Sequence, residues 1–206
     1  EAVGSETGIP GVSVYVISPG YGGLAFVWGH SDLEERSPVT PGDLFRVGSL
    51  TKSFTGAAVV RLTEEGLIDL SRPISDYLGR IDDYAPLDDI SVGHLLNMSS
   101  GLAECLSASF LIGSVLPDPL GTHAPGELLA EAFGAAPELL FVPGRLWSYT
   151  NTNYILLGLL IEEVSELSYP DYLQEAFIGP LSLNDTLVIT DSDLPAVGKL
   201  GKDHGF

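Results

Sequence analysis

Apolar and polar positions alternate, or run apolar, over residues 11–17 and again over 24–30, around the turn Ser18-Pro19-Gly20-Tyr21-Gly22-Gly23. Two such runs joined by a Gly- and Pro-rich turn predict a β-hairpin. Residues 43–48 read as a further short strand leading into a helix over 49–65. On that helix Phe54, Ala57, Ala58 and Leu62 form an apolar stripe at helical spacing, and Gly66 supplies a C-terminal stop. A short helix is expected after Pro73. Ser91 is a candidate N-cap for a helix ending near Ser100-Gly101. Residues 103–142 are the least regular stretch, with one helix near 126–133. Helices follow over 152–165, built on the apolar run 155–161, and over 170–177. Residues 186–190 read as a strand.

The order of these elements is strands, a helical block, then a strand. It predicts an α/β domain (residues 1–66 and 185–206) interrupted by a mainly helical one (67–184). The insertion at 103–142 carries Phe110, Leu111, Ile112, Val115 and Leu116 before a Pro- and Gly-rich stretch. It either walls a substrate cleft or packs on the helical domain.

Charge narrows the partners. Nine basic residues stand against 28 acidic ones, a net charge of −19 with a pI near 4.2. Such a surface repels nucleic acid and anionic membranes, so neither is expected as a partner. The run 155–161 is far too short to span a bilayer. The single cysteine, Cys105, lies in an apolar context and reads as a small buried residue. His30, His94, His123 and His204 show no metal-ligand spacing with Asp or Glu. No Gly-x-Ser-x-Gly is present, which disfavours the nucleophile-elbow hydrolases, and no Gly-rich phosphate loop opens a helix. No cofactor is implied.

The candidate chemistry begins at Ser49-Leu50-Thr51-Lys52. A serine and a lysine three apart share one face of a helix. A serine hydroxyl is a weak nucleophile until a base takes its proton, and a lysine amine can serve if its pKa is lowered. The plainer reading is an N-cap serine followed by a surface lysine. A second cluster, Tyr149-Thr150-Asn151, is the one Tyr-x-Asn of the chain and precedes an apolar helix. The phenol could move a proton and the amide could hold Lys52 or a substrate carbonyl. The plainer reading makes Tyr149 a half-buried aromatic and Asn151 a helix N-cap.

Phe45-Arg46-Val47-Gly48-Ser49-Leu50-Thr51-Lys52-Ser53-Phe54-Thr55 resembles the nucleophile segment of the serine β-lactamase and penicillin-binding-protein superfamily. More narrowly it is similar to the group holding class C β-lactamases, D-alanyl-D-alanine carboxypeptidases, D-aminopeptidases and related esterases. Further matches keep the family order: Ile9-Pro10-Gly11-Val12-Ser13-Val14, Glu65-Gly66-Leu67-Ile68-Asp69-Leu70, His94-Leu95-Leu96-Asn97-Met98-Ser99-Ser100-Gly101-Leu102, and Tyr149-Thr150-Asn151 before Asn153-Tyr154. The resemblance implies a β-lactamase-like fold, with an antiparallel sheet flanked by helices and an all-helical domain. It also implies hydrolysis of an amide, D-peptide, lactam or ester substrate through an acyl-enzyme. Ser49 would be the nucleophile and one backbone oxyanion donor, Lys52 and Tyr149 the proton carriers, and Asn151 the group positioning Lys52 and substrate. A non-turnover penicillin-binding sensor is the remaining reading, and the peptide or small-molecule substrate itself is left open.

The family also carries a Lys-Thr-Gly or His-x-Gly strand well after the Tyr-x-Asn motif. Lys199-Leu200-Gly201 has that outline but follows too closely, and His204-Gly205-Phe206 looks more like the family's segment just beyond the Tyr-x-Asn motif. The expectation is therefore a chain without the C-terminal strands of the fold. It would be either a shortened piece or one half of a cleaved enzyme whose second polypeptide carries the rest. The resemblance further implies a secreted or periplasmic protein.

Overall fold

The computed structural model describes residues 8–79, 81, 85–118 and 121–189. Lys199-Leu200-Gly201 and His204-Gly205-Phe206 lie outside them. The described residues fall into two compact units, one up to Val47 together with Ile189 and one spanning Gly48–Val188.

The first unit is the hairpin. Strand β1 (Gly11–Ser18) pairs antiparallel with β2 (Gly22–Asp32) in a register that sets Val14 opposite Phe26 and Ser18 opposite Gly22. Gly20 and Gly22 take positive φ at the connection, a region open to glycine at no steric cost. The two-residue strand β3 (Ser37–Pro38) adds to β2 across a bulge between His30 and Asp32. Tyr15, Ile17, Leu24 and Phe26 stay exposed.

Residues 43–48 do not form the expected strand. The Asp43 carboxylate accepts from the Thr40 N–H (2.8 Å) and hydroxyl (2.9 Å), and the Asp43 N–H donates to the Thr40 carbonyl (3.2 Å). A turn around Pro41-Gly42 thus uses the first polar groups of the segment, and a strand needs a neighbouring ladder that local sequence cannot supply. Likewise 186–189 carry no regular element, and Thr190 lies outside the described residues.

The second unit is helical. A single 3₁₀ turn (Gly48–Leu50) feeds α1 (Thr51–Glu64). Its inner face is Thr55, Ala58, Val59 and Leu62, while Ala57 is exposed and Phe54 only partly buried. Short helices α2 (Ser75–Leu78) and α3 (Val92–Leu96) follow. Ser91 caps α3 as expected, its hydroxyl accepting the His94 N–H (3.2 Å) while His94 Nδ1 accepts the Ser91 N–H (3.3 Å). That helix stops at Leu96, short of the expected Ser100, because Met98 turns to positive φ and the Ser99 N–H closes back on the His94 carbonyl. In the insertion, α4 (Ala108–Phe110) runs into one π-helical turn (Leu111–Val115), and α5 (Pro125–Ala135) covers the expected 126–133 helix. Phe110 meets His123 edge-on, and Leu111, Ile112 and Leu116 are exposed.

Helix α6 (Asn151–Ser165) is the hub, touching α1, α2, α3, α5 and the final helix α7 (Tyr169–Leu173). A π-helical turn over Gln174–Ile178 replaces the regular helix expected through 177. Leu156, Leu157, Leu160 and Ile161 of α6 are fully buried among Leu62, Leu95, Leu102 and Leu129. Each such side chain contributes roughly 1.5–3 kcal/mol through burial. Among the described residues no helix is long and apolar enough to cross a membrane.

Candidate active site

Four backbone-fixed pieces of the helical unit bring the site together. The 3₁₀ turn and first turn of α1 present Ser49 and Lys52 on one face, and the Lys52 ammonium donates to Ser49 Oγ over 3.2 Å. Ser49 is not a helix cap: the residue at the α1 N-cap is Leu50, which makes no side-chain cap bond. The plainer cap reading of the serine is thereby replaced by a hydroxyl facing the lysine.

Opposite them, residues 98–101 hold 140–148 by three backbone bonds. The Leu140 N–H donates to the Gly101 carbonyl (2.8 Å), Gly144 to Ser99 (2.9 Å) and Ser148 to Met98 (3.0 Å). The chain therefore emerges at Tyr149 in a defined place. Gly101 makes this possible. Its φ is +83°, and a β-carbon there would lie 2.2 Å from the Phe141 carbonyl oxygen. Gly101→Ala is expected to lower stability by about 3 kcal/mol, combining strain at positive φ with a backbone collision. Chemical denaturation of the two proteins checks this.

Thr150 then caps α6, its hydroxyl accepting the Thr152 N–H (3.2 Å), so Asn151 is the first helical residue and not the cap. The Thr150 and Thr152 hydroxyls both donate to the Ala103 carbonyl, at 3.0 and 2.6 Å, which pins the start of α6 to the loop before Glu104. Asn153, fully buried, accepts from Ser100 Oγ (2.6 Å) and donates to Met98 Sδ (3.4 Å).

All four residues singled out in the sequence meet. Ser49 Oγ lies 2.7 Å from Tyr149 Oη, a contact in which either hydroxyl can donate. Lys52 Nζ donates to Asn151 Oδ1 over 2.6 Å and sits 4.9 Å from the Tyr149 ring centroid. Tyr149 Oη also reaches Asn151 Oδ1, at 3.4 Å. The Lys52 ammonium, then the Ser49 hydroxyl, hold the Tyr149 phenol below its ordinary pKa, since both favour the phenolate. A proton on Ser49 thus has a receptive oxygen within one hydrogen bond, with a cation beside it.

One member of the site was not singled out in the sequence. Glu104 accepts the Asn151 N–H at Oε2 (2.9 Å) and the Asn151 Nδ2 at Oε1 (3.2 Å). Oε1 also accepts the Leu106 N–H (2.8 Å) and the Cys105 thiol (3.4 Å). Burial pushes the Glu104 carboxyl up, but the Leu106 and Asn151 donors outweigh it and leave the group below the usual carboxylate range. The available signal was an acidic residue inside the apolar stretch Leu102-Ala103-Glu104-Cys105-Leu106. Cys105 is buried, and desolvation pushes its thiol up to about 11, consistent with a packing role. Among the described residues no cluster of three His, Cys, Asp or Glu side chains takes a metal-ligand arrangement.

Residues 1–198 match the family model described as Beta-lactamase. The chain belongs to the Beta-lactamase family. Within it, the chain is 27% identical over 161 residues to Penicillin-binding protein 4* of Bacillus subtilis, covering 78% of this chain and 34% of that protein. The chain thus spans about a third of the length of that curated relative. Among solved structures, a D-stereospecific amidohydrolase from Streptomyces sp. superposes with a TM-score of 0.73 at 31% identity, covering 88% of this chain and 52% of the other. The D-amino acid amidase of Ochrobactrum anthropi superposes with a TM-score of 0.74 at 27% identity, covering 86% and 46%. The mixture of helices and antiparallel sheet described above is that of the β-lactamase and penicillin-binding-protein fold.

Proposed function

We propose that this chain carries the nucleophile of a serine hydrolase that works through an acyl-enzyme on amide bonds, D-residue amides or peptides before lactams. The observation that carries the reading is the contact of Ser49 Oγ with both Tyr149 Oη (2.7 Å) and Lys52 Nζ (3.2 Å). Ser49 Oγ attacks the carbonyl carbon while its proton passes to the Tyr149–Lys52 pair. That proton then goes to the departing amine as the C–N bond breaks, leaving an ester on Ser49. Water cleaves the ester, giving the acid and returning a proton to Ser49.

Asn151 holds Lys52 against the serine throughout. The Ser49 backbone N–H, at the positive end of α1, supplies one donor to the developing oxyanion. By analogy with the resembled family, the second donor would come from a strand after Tyr149. The preference for D-residue amides rests on the named activities of the amidohydrolase and amidase relatives.

The test compares turnover of a D-amino acid p-nitroanilide, its L-enantiomer, a cephalosporin and a short-chain p-nitrophenyl ester by the whole protein. The expected order places the D-anilide first. Fastest turnover of the ester would make the protein an esterase of the same fold, and stable labelling without turnover would make it a sensor.

A further inference from the structure

We propose that Glu104 is a positioning residue whose carboxylate decides which end of the Asn151 amide faces Lys52. The inference rests on the acyl-enzyme reading for its kinetic consequence, but not for its geometry.

A carboxamide has one accepting end and one donating end of nearly the same shape, so only its neighbours decide which way it points. Asn151 lies between two neighbours of opposite kind. On one side is the Lys52 ammonium, which can only donate, 2.6 Å from Oδ1. On the other is the Glu104 carboxylate, which when ionised can only accept, 3.2 Å from Nδ2. Turning the amide over would face NH₂ toward the ammonium and the carbonyl oxygen toward the carboxylate. Glu104 also accepts the Asn151 backbone N–H, at the positive end of the fifteen-residue helix α6, so side chain and backbone of Asn151 are gripped by one group. The Leu106 N–H and Cys105 thiol hold the carboxylate from its own loop. Donors from its own loop and from Asn151 thus converge on the carboxylate, which makes it a support for Asn151.

Glu104→Gln keeps the shape and removes the all-acceptor character. In the whole protein it is expected to lower the limiting rate of acylation by a fluorescent penicillin about tenfold to a hundredfold, with the half-saturating probe concentration little changed. The Asn151 side-chain amide signal in ¹⁵N-resolved spectra should move, because its partner has changed. Glu104→Asp, which keeps the charge, should restore part of the rate and the native position of that signal. If Glu104→Gln does not fold, Glu104→Asp carries the test, with a native-like signal expected and a displaced amide together with native rate overturning the proposal. A native rate in Glu104→Gln overturns it, and so does a slowed variant whose Asn151 signal is unmoved, which would reduce Glu104 to a loop support. Ser49→Ala is measured alongside. If that variant labels like the native protein the acyl-enzyme reading falls, and the amide signal alone decides on Glu104. If it is blank while Glu104→Gln labels at the native rate, the acyl-enzyme reading stands and the positioning proposal falls.

Discussion

Ser49→Ala in the whole protein is expected to abolish adduct formation with a serine-reactive β-lactam or phosphonate, seen by intact-mass spectrometry, and to cut turnover by at least about 10⁴-fold. That is the scale on which activated serines fail when the hydroxyl is removed. The change deletes the hydroxyl that stands within hydrogen-bonding reach of both Tyr149 Oη and Lys52 Nζ. It deletes almost nothing else. Ser49 is exposed, and the N-cap of α1 makes no side-chain bond that alanine could break. Stability should therefore stay within about 0.5 kcal/mol, as for surface positions generally. A large loss of rate on an unchanged melting curve is the signature of a nucleophile. Full labelling of the variant would place the nucleophile elsewhere and sink the mechanism.

Lys52→Met is the second large effect, with an expected loss of about 10²–10⁴-fold in acylation rate. Methionine retains an apolar stem at this partly buried position, so packing is little disturbed. What goes is the charge. The sign for Tyr149 follows directly. A neighbouring cation favours the phenolate and lowers the phenol pKa; without it the pKa rises toward its ordinary value. Tyrosinate absorbance followed against pH should then show one tyrosine ionising at higher pH in Lys52→Met than in the native protein. The rate that survives should also need higher pH, because a phenolate base is populated only above its pKa. An unchanged titration would mean that Lys52 does not set the ionisation of Tyr149. Among the described residues, its loss would leave Asn151 Oδ1 with the longer 3.4 Å contact to Tyr149.

Sequence and structure agree most closely where the deciding forces are local. The hairpin follows from period-two apolar runs around glycines that tolerate positive φ. The Ser91 cap and its His94 partner sit three residues apart, and α6 follows from an apolar run behind a Thr cap. Ser49 and Lys52 share a face because a helix puts residues three apart on one side. The strand expected at 43–48 failed for the complementary reason. Strand formation depends on a partner ladder, and the local Thr40–Asp43 turn consumed the polar groups first. The end of α3 was misplaced by four residues because Met98, a residue with no glycine-like signal, takes the left-handed conformation.

The sequence by itself determined the family, the serine and lysine on one helical face, and the tyrosine and asparagine at the head of another. These are matters of spacing within a single element. Only the tertiary structure decided that the two pairs meet, across 99 and 100 residues of chain, because that depends on how α1 and α6 pack around shared apolar side chains. It alone also decided the place of Glu104. That residue lies 47 positions before Asn151, on a loop with no periodic pattern, and its role exists only once residues 98–101 have drawn 140–148 alongside.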